Sequence, residues 1–183
     1  MKEEVVYGDL TFVKYLDGKD IAEKVKEIAR DVTKNHEHSS PVFLVILNGA
    51  FMFAADLLRH IHFSHEVLFV EAKSYEGIAS TGNVAFDESK LHNLKGRNVI
   101  IIEDIVDSGK TLSEFVKRLQ SIGLNNLDIA TLLSKPDARK YEVECGYVGF
   151  IIPDLFVVGY GLDYNNMGRS LPDIYQLKPN STS

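Results

Sequence analysis

Residues Val99 to Leu112 read VIIIEDIVDSGKTL. The β-branched run Val99 to Ile102 suits a strand buried on both faces; two adjacent carboxylates follow, and a short loop with Ser and Thr hydroxyls then opens into a helix. At such a junction successive free backbone N–H groups and the positive end of the helix dipole face one point, which suits an anion and most naturally a phosphate. The ATP-binding loop G-x-x-x-x-G-K-[ST] is excluded, because it needs glycine five residues before Gly109 and Asp104 stands there. Glu103 and Asp104 repel one another at a strand end and have no evident partner. They suit a cation such as Mg²⁺, which takes hard oxygen ligands, or the hydroxyls of a ribose diol.

Working outward, Ile21, Val25, Ile28, Ala29 and Val32 recur at helical spacing, with Asp17 and Asp20 placed to cap a helix from Gly18 to about Lys34. Val42 to Leu47 reads as a buried strand, and Asn48-Gly49-Ala50 turns it into a second helix with Phe51, Ala54, Ala55, Leu58 and Ile61 as its apolar stripe. Glu66 to Ala72 is a further strand, Ser74 to Asn83 a long polar loop, and Val84 to Phe86 a short strand. Asn98 to Ile102 is the strand that opens the central motif. The helix after it carries Leu112, Phe115, Val116, Leu119 and Ile122 on one face and stops at Gly123, and Leu127 to Leu133 is the next strand. Strands alternating with helices predict an α/β parallel sheet that binds its ligand at the carboxyl ends of its strands, where the loops after Leu47, Ile102 and Leu133 should meet. Past Pro136 only short strands remain, Tyr147 to Ile151 and Leu155 to Val158, and these are expected to pair with the N-terminal residues Val5 to Val13 as a small lobe.

At 183 residues the chain suits one domain, and its formal charge of −6 with no basic run argues against a nucleic-acid face, so phosphate would be bound locally. The single cysteine, Cys145, excludes an internal disulfide, and no apolar run approaches the length of a membrane span. Met1-Lys2-Glu3-Glu4 begins no signal peptide, and a cytoplasmic protein without a membrane partner is expected.

VIIIEDIVDSGKTL resembles the phosphoribosyl-diphosphate signature of the type I phosphoribosyltransferases. Phe156-Val157-Val158-Gly159-Tyr160-Gly161-Leu162-Asp163-Tyr164-Asn165 resembles the base-binding segment of the hypoxanthine-guanine branch, and Leu132-Leu133-Ser134-Lys135 its lysine-bearing strand end. The resemblance runs from about Val42 to Arg169. It implies a parallel-sheet core at about 18–135, a small hood subdomain from about 1–17 and 136–177, and a polar tail at 178–183, all in a single domain. It also implies a homodimer or homotetramer.

By the same resemblance, Glu103 and Asp104 hold the ribose hydroxyls directly or through Mg²⁺, and Ser108, Gly109, Lys110 and Thr111 wrap the 5′-phosphate. Asp107 serves as base toward the purine N7, Phe156 stacks on the base, Lys135 donates to the 6-oxo group and Val157 offers backbone hydrogen bonds. Asp163 would ligate a second Mg²⁺, Arg169 would contact pyrophosphate, and Ser74 with Tyr75 would begin a loop that closes over the reacting centre. Leu47, Asn48 and Gly49 stand in the family's pyrophosphate loop, which often carries a non-proline cis peptide. Here Asn48 replaces the lysine of many relatives, which leaves backbone contacts, and Glu71 stands where some relatives place arginine.

An ammonium at Lys135 can donate to a 6-oxo purine but can accept nothing from the 6-amino group of adenine. The expected activity is therefore a Mg²⁺-dependent purine salvage transferase that takes phosphoribosyl diphosphate and hypoxanthine or guanine to IMP or GMP plus pyrophosphate. The competing reading is a non-catalytic member of the same fold that binds nucleotides as a regulator; the acidic balance and the presence of both Asp107 and Lys135 argue against it.

Overall fold

The computed structural model describes residues 2–71, 73–74, 84–85 and 91–179. In chain order the elements are β1 (Glu4–Tyr7), β2 (Leu10–Leu16), α1 (Gly18–His36), β3 (Val42–Leu47), α2 (Phe51–Arg59), β4 (Glu66–Glu71), β5 (Lys73–Ser74), β6 (Val84–Ala85), β7 (Asn98–Val106), α3 (Lys110–Ile122), β8 (Asn126–Ser134), β9 (Tyr147–Ile151), β10 (Val157–Val158) and β11 (Ile174–Leu177). Five parallel strands in the order β4-β3-β7-β8-β9 form the main sheet. An antiparallel sheet in the order β1-β2-β11-β10 forms the hood, and β5 pairs with β6 as a separate ribbon.

Alternation along the central strands divides the core. Phe43, Val45, Ile100 and Ile102 pack with Ile21, Val25, Val32, Phe53 and Leu57 from α1 and α2. Val42, Leu44, Val99 and Ile101 pack on the other face with Leu112, Phe115 and Leu119 from α3. Helices thus cover both faces of the sheet, as its uninterrupted apolar strands require. α1 begins at Asp17, whose side chain accepts the Lys19 N–H at 2.9 Å. α3 ends at Gly123 in the left-handed conformation (φ 83°), the stop anticipated from sequence. The hood is tied to this core by Asp173, fully buried, which accepts the Gly18 N–H at 2.7 Å and pairs with Lys14 at 3.2 Å.

Three expectations change. Tyr147–Ile151 does not pair with the N-terminal strands; it runs parallel to β8 as the edge of the main sheet, with Ala130 opposite Tyr147 and Ser134 opposite Ile151. A parallel return is usually made by a helix, and residues 135–146 make it with only a short 3₁₀ turn at Pro136–Ala138, so no helical pattern marks it. β7 continues to Val106, which places Glu103 and Asp104 inside the strand. In α2 the buried residues are Phe53, Ala54 and Leu57, whereas Phe51 keeps 40% of its surface exposed and Ala55 faces outward. Almost every position from Ala50 to Leu58 is apolar, so periodicity there supports two phases equally. Among the described residues no helix is long and apolar enough to cross a membrane.

The phase of α2 is open to direct measurement. Phe53→Ala should lower unfolding free energy by about 3–5 kcal/mol, and Phe51→Ala by less than about 1 kcal/mol, in urea titrations of the two variants. Equal losses would contradict the packing.

Candidate active site

In a parallel sheet the carboxyl ends of all strands lie along one edge, and the chain's polar residues gather there. β3 ends in a cis Leu47–Asn48 peptide followed by Gly49, β7 ends at Val106 before Asp107, and β8 ends at Ser134 before Lys135. Together with Phe156, Val157, Leu162, Asp163 and Arg169 these segments enclose a cleft of about 310 Å³ whose lining also includes Asn48, Gly49, Asp104 and Ile105. The three loops expected to meet do so. A Cβ at Gly49 would collide with the Asp104 carboxylate, and one at Gly161 (φ 102°) with the Gly49 carbonyl, so neither position has room for a side chain.

At one end of the cleft Lys135 is only 4% exposed and donates from Nζ to Asp107 Oδ2 at 2.8 Å. A lysine is rarely buried so fully without a partner. A second carboxylate, Asp154, accepts from the same ammonium at 3.4 Å. Two backbone bonds fix this arrangement: the Lys135 N–H donates to Val106 O at 3.0 Å, and the Ile152 N–H donates to Ser134 O at 2.9 Å.

Glu103 and Asp104 do not act as one pair. Successive strand residues face opposite sides, so Asp104 lines the cleft while Glu103 lies within electrostatic reach of the Cys145 thiol. Burial and the Asp104 charge hold the Glu103 carboxyl well above the usual range, and its Oε2, closed off from solvent, has no hydrogen-bond partner. Burial likewise raises Asp104 to about 6, against the lowering effect of the Ile105 N–H at 2.8 Å and of Arg169. Asp163 is already engaged: Arg169 Nη2 lies 2.7 Å from Oδ1, and the Asn166 N–H donates to Oδ2 at 2.8 Å. Arg169 Nη1 also donates to Gly161 O at 2.8 Å. Among the described residues no group of three or more His, Cys, Asp or Glu side chains forms a metal cluster. The Asp104 and Asp163 carboxylates, which both line the cleft, nevertheless fit Mg²⁺, which commonly takes one or two carboxylates and leaves its other positions to water and substrate phosphate; Glu103, expected to share this role, faces the other side of the strand.

Ser108, Gly109, Lys110 and Thr111 lead from Asp107 into the first turn of α3, beside the cleft. Gly109, at φ 79°, makes no side-chain cap; the Lys110 N–H donates to Ser108 Oγ at 3.4 Å, and the Thr111 and Leu112 N–H groups are left to an external acceptor. Residues that the sequence did not single out brace this loop. The Lys140 and Tyr141 N–H groups both donate to Ser108 O at 3.0 and 3.1 Å, and Arg139 reaches Val143 O and Ser134 Oγ at 2.9 Å each. A Cβ at Gly109 would stand 2.6 Å from Tyr141 O.

Across the cleft Phe156 keeps 46% of its surface exposed while contacting Phe12 and Tyr164 at centroid distances of 6.0 and 6.1 Å. Tyr160, buried at φ 49° between two glycines, donates its hydroxyl to Asp56 Oδ2 on α2 at 2.7 Å; burial and that carboxylate push the phenol well above its ordinary range. Asp56, Tyr160 and Asp154 escaped the sequence reading because each is an unremarkable residue until its partner is known. Tyr75 and the side chain of Ser74 lie outside the described residues.

A family model described as "Phosphoribosyl transferase domain" matches residues 13–165. The chain belongs to the phosphoribosyl transferase family. It is 41% identical over 161 residues to the hypoxanthine-guanine phosphoribosyltransferase of Bacillus subtilis, covering 87% of this chain and 89% of that one. The crystal structure of a hypoxanthine phosphoribosyltransferase from Staphylococcus aureus superposes with a TM-score of 0.85 at 41% identity, covering 93% of each chain. Similarity extends to a larger protein, the bifunctional TilS/HprT of Listeria monocytogenes, at 40% identity; the chain spans 25% of that protein's length. The five-stranded parallel sheet is thus a type I phosphoribosyltransferase core.

The raised Asp104 carboxyl fixes the sign of one pH effect in this phosphoribosyltransferase. Between an unfolded value of about 3.9 and a folded value of about 6 the native state holds the extra proton, so Asp104's contribution to stability is present below this window and lost as pH rises through it. In EDTA, the stability of the parent protein relative to Asp104→Asn should fall by on the order of 2 kcal/mol from about pH 4 to pH 7. Parallel pH curves for the two proteins would refute the assignment.

Proposed function

We propose that this phosphoribosyltransferase transfers the 5-phosphoribosyl group of phosphoribosyl diphosphate to hypoxanthine or guanine, giving IMP or GMP and pyrophosphate. The observation that carries the reading is the buried Lys135 ammonium beside Asp107, facing the half-exposed ring of Phe156 across one small cleft. A flat base fits against Phe156, and the ammonium supplies a donor where a 6-oxo purine offers an acceptor. Asp107, whose side chain is half exposed, takes the N7 proton as nitrogen attacks C1′. Val157 presents backbone groups to the base edge. The reaction at the anomeric carbon passes through an oxocarbenium-like transition state.

The 5′-phosphate sits on the loop Ser108 to Thr111, where uncapped N–H groups of α3 offer donors. Asn48 and Gly49 offer backbone groups to pyrophosphate, and Arg169 offers its guanidinium after parting from Asp163. Asp104 and Asp163 are the residues that would hold Mg²⁺, which, when bound, neutralises charge on the departing pyrophosphate; Glu103, on the opposite side of the strand, is not placed to join them. Support for a metal comes from the buried, raised Asp104 carboxyl in the cleft beside Asp163.

The domain reads as one unit of core and hood, acting in the cytoplasm as a homodimer or homotetramer. Exposed Phe69 on the edge strand β4 and exposed Phe51 at the start of α2 favour self-association.

Pyrophosphate release should be measured with adenine, guanine, hypoxanthine and xanthine, each with and without Mg²⁺. Hypoxanthine and guanine should be turned over, adenine at least about a thousandfold less efficiently, and EDTA should abolish the reaction. No release with any purine, together with tight IMP binding, would favour a nucleotide-binding regulator. Asp107→Asn should lower kcat by about 10²–10⁴ while IMP affinity stays close to the parent value, as read by calorimetry. Unchanged turnover in that variant would remove the base from Asp107.

A further inference from the structure

The second carboxylate on Lys135 has no part in the chemistry above. An ammonium has three N–H donors; here one goes to Asp107 at 2.8 Å and one to Asp154 at 3.4 Å, which leaves the third for a ligand in the cleft. Asp107 is an unreliable anchor for Lys135 during turnover, because the same carboxylate must turn to the purine N7. Asp154 has no such second duty. It sits two residues before Phe156, in a segment held by the Ile152 N–H on Ser134 O and by a tight turn in which the Leu155 N–H donates to Pro153 O at 2.8 Å. Pro153 fixes its own φ, so the backbone that carries Asp154 is stiff and is hydrogen-bonded to the residue adjoining Lys135.

We propose that Asp154 is a positioning residue for base recognition: it holds the Lys135 ammonium toward the 6-oxo group while Asp107 is occupied with N7. The inference rests on the functional reading above and deepens it. It accounts for a feature that simple ion-pair stability does not. The Asp154 side chain is 67% exposed, and an exposed carboxylate contributes little to folding even beside a buried cation. Its consequence belongs to the geometry of Lys135.

The test compares Asp154→Asn and Asp154→Glu with the parent protein, under saturating Mg²⁺, in steady-state kinetics with hypoxanthine, adenine and phosphoribosyl diphosphate. In Asp154→Asn the KM for hypoxanthine should rise about tenfold and the preference for hypoxanthine over adenine should shrink about tenfold. The KM for phosphoribosyl diphosphate should stay within about twofold, and the midpoint of urea unfolding should not move. Asp154→Glu, which keeps the charge, should recover most of the loss. An unchanged hypoxanthine KM in Asp154→Asn overturns the proposal, as does an equal rise in both KM values or a loss that tracks a lowered unfolding midpoint. A parent protein that turns over no 6-oxo purine defeats the functional reading itself, and this inference falls with it. Normal parent activity with an indifferent Asp154→Asn defeats this inference alone.

Discussion

No side chain fits at residue 49. A Cβ there would occupy the space of the Asp104 carboxylate, and a Cβ at residue 161 would strike the Gly49 carbonyl, so the loop after β3 is packed against the Asp104 side chain of β7 and against the backbone of the segment before β11 at one point. The rest of the site depends on that contact. It sets the depth of the cleft, brings the Leu47–Gly49 loop against the acidic strand, and presses the Gly159-Tyr160-Gly161 turn onto both. The three residues of that turn have positive φ, and Tyr160 can stay there because its N–H is taken by Leu171 O, its ring is buried and its hydroxyl is held by Asp56. The hydrogen bond to Asp56 runs to the helix that starts from the Gly49 loop, so the hood segment grips both the loop and the element behind it.

Much of this was legible because the relevant signals are local. A run of β-branched residues ending in a hydroxyl-rich loop before a helix specifies strand, turn and helix N-terminus within Val99–Leu112, and Gly123 marks the helix end by its own conformational freedom. The meeting of three loops followed from topology, since parallel strands must all end on the same edge. What was not legible depended on partners distant in sequence. β9 joins the main sheet through a connection without a helix, and α2 is apolar around nearly its whole circumference, so neither register nor phase could be taken from spacing. The Lys135 to Asp154 pair and the Tyr160 to Asp56 bond join residues whose types carry no signal of their own.

The acidic motif itself is the clearest case of a local reading refined by geometry. As adjacent letters Glu103 and Asp104 look like one bidentate site. As strand residues they face opposite sides, and only Asp104 reaches the cleft directly. The cost of keeping both charges inside the protein is visible in their raised carboxyls, and it exceeds what a purely structural role could justify, since two apolar residues would fold at least as well.

That argument extends to the balance of charge around the cleft. Asp104, Asp107, Asp154 and Asp163 supply four carboxylates, whereas Lys135 and Arg169 are the cations paired with them. A cleft with surplus negative charge is poorly suited to a polyphosphate unless the phosphates meet backbone N–H groups and cations that arrive with the substrate. The structure provides the first at Gly49 and at the start of α3, both of which are built on glycine and carry no acidic cap. In the proposed reaction the surplus carboxylates would supply the second by attracting a divalent ion. The cleft's two basic side chains, Lys135 and Arg169, would then be free to act on the base and on the leaving group as proposed, where position matters more than total charge.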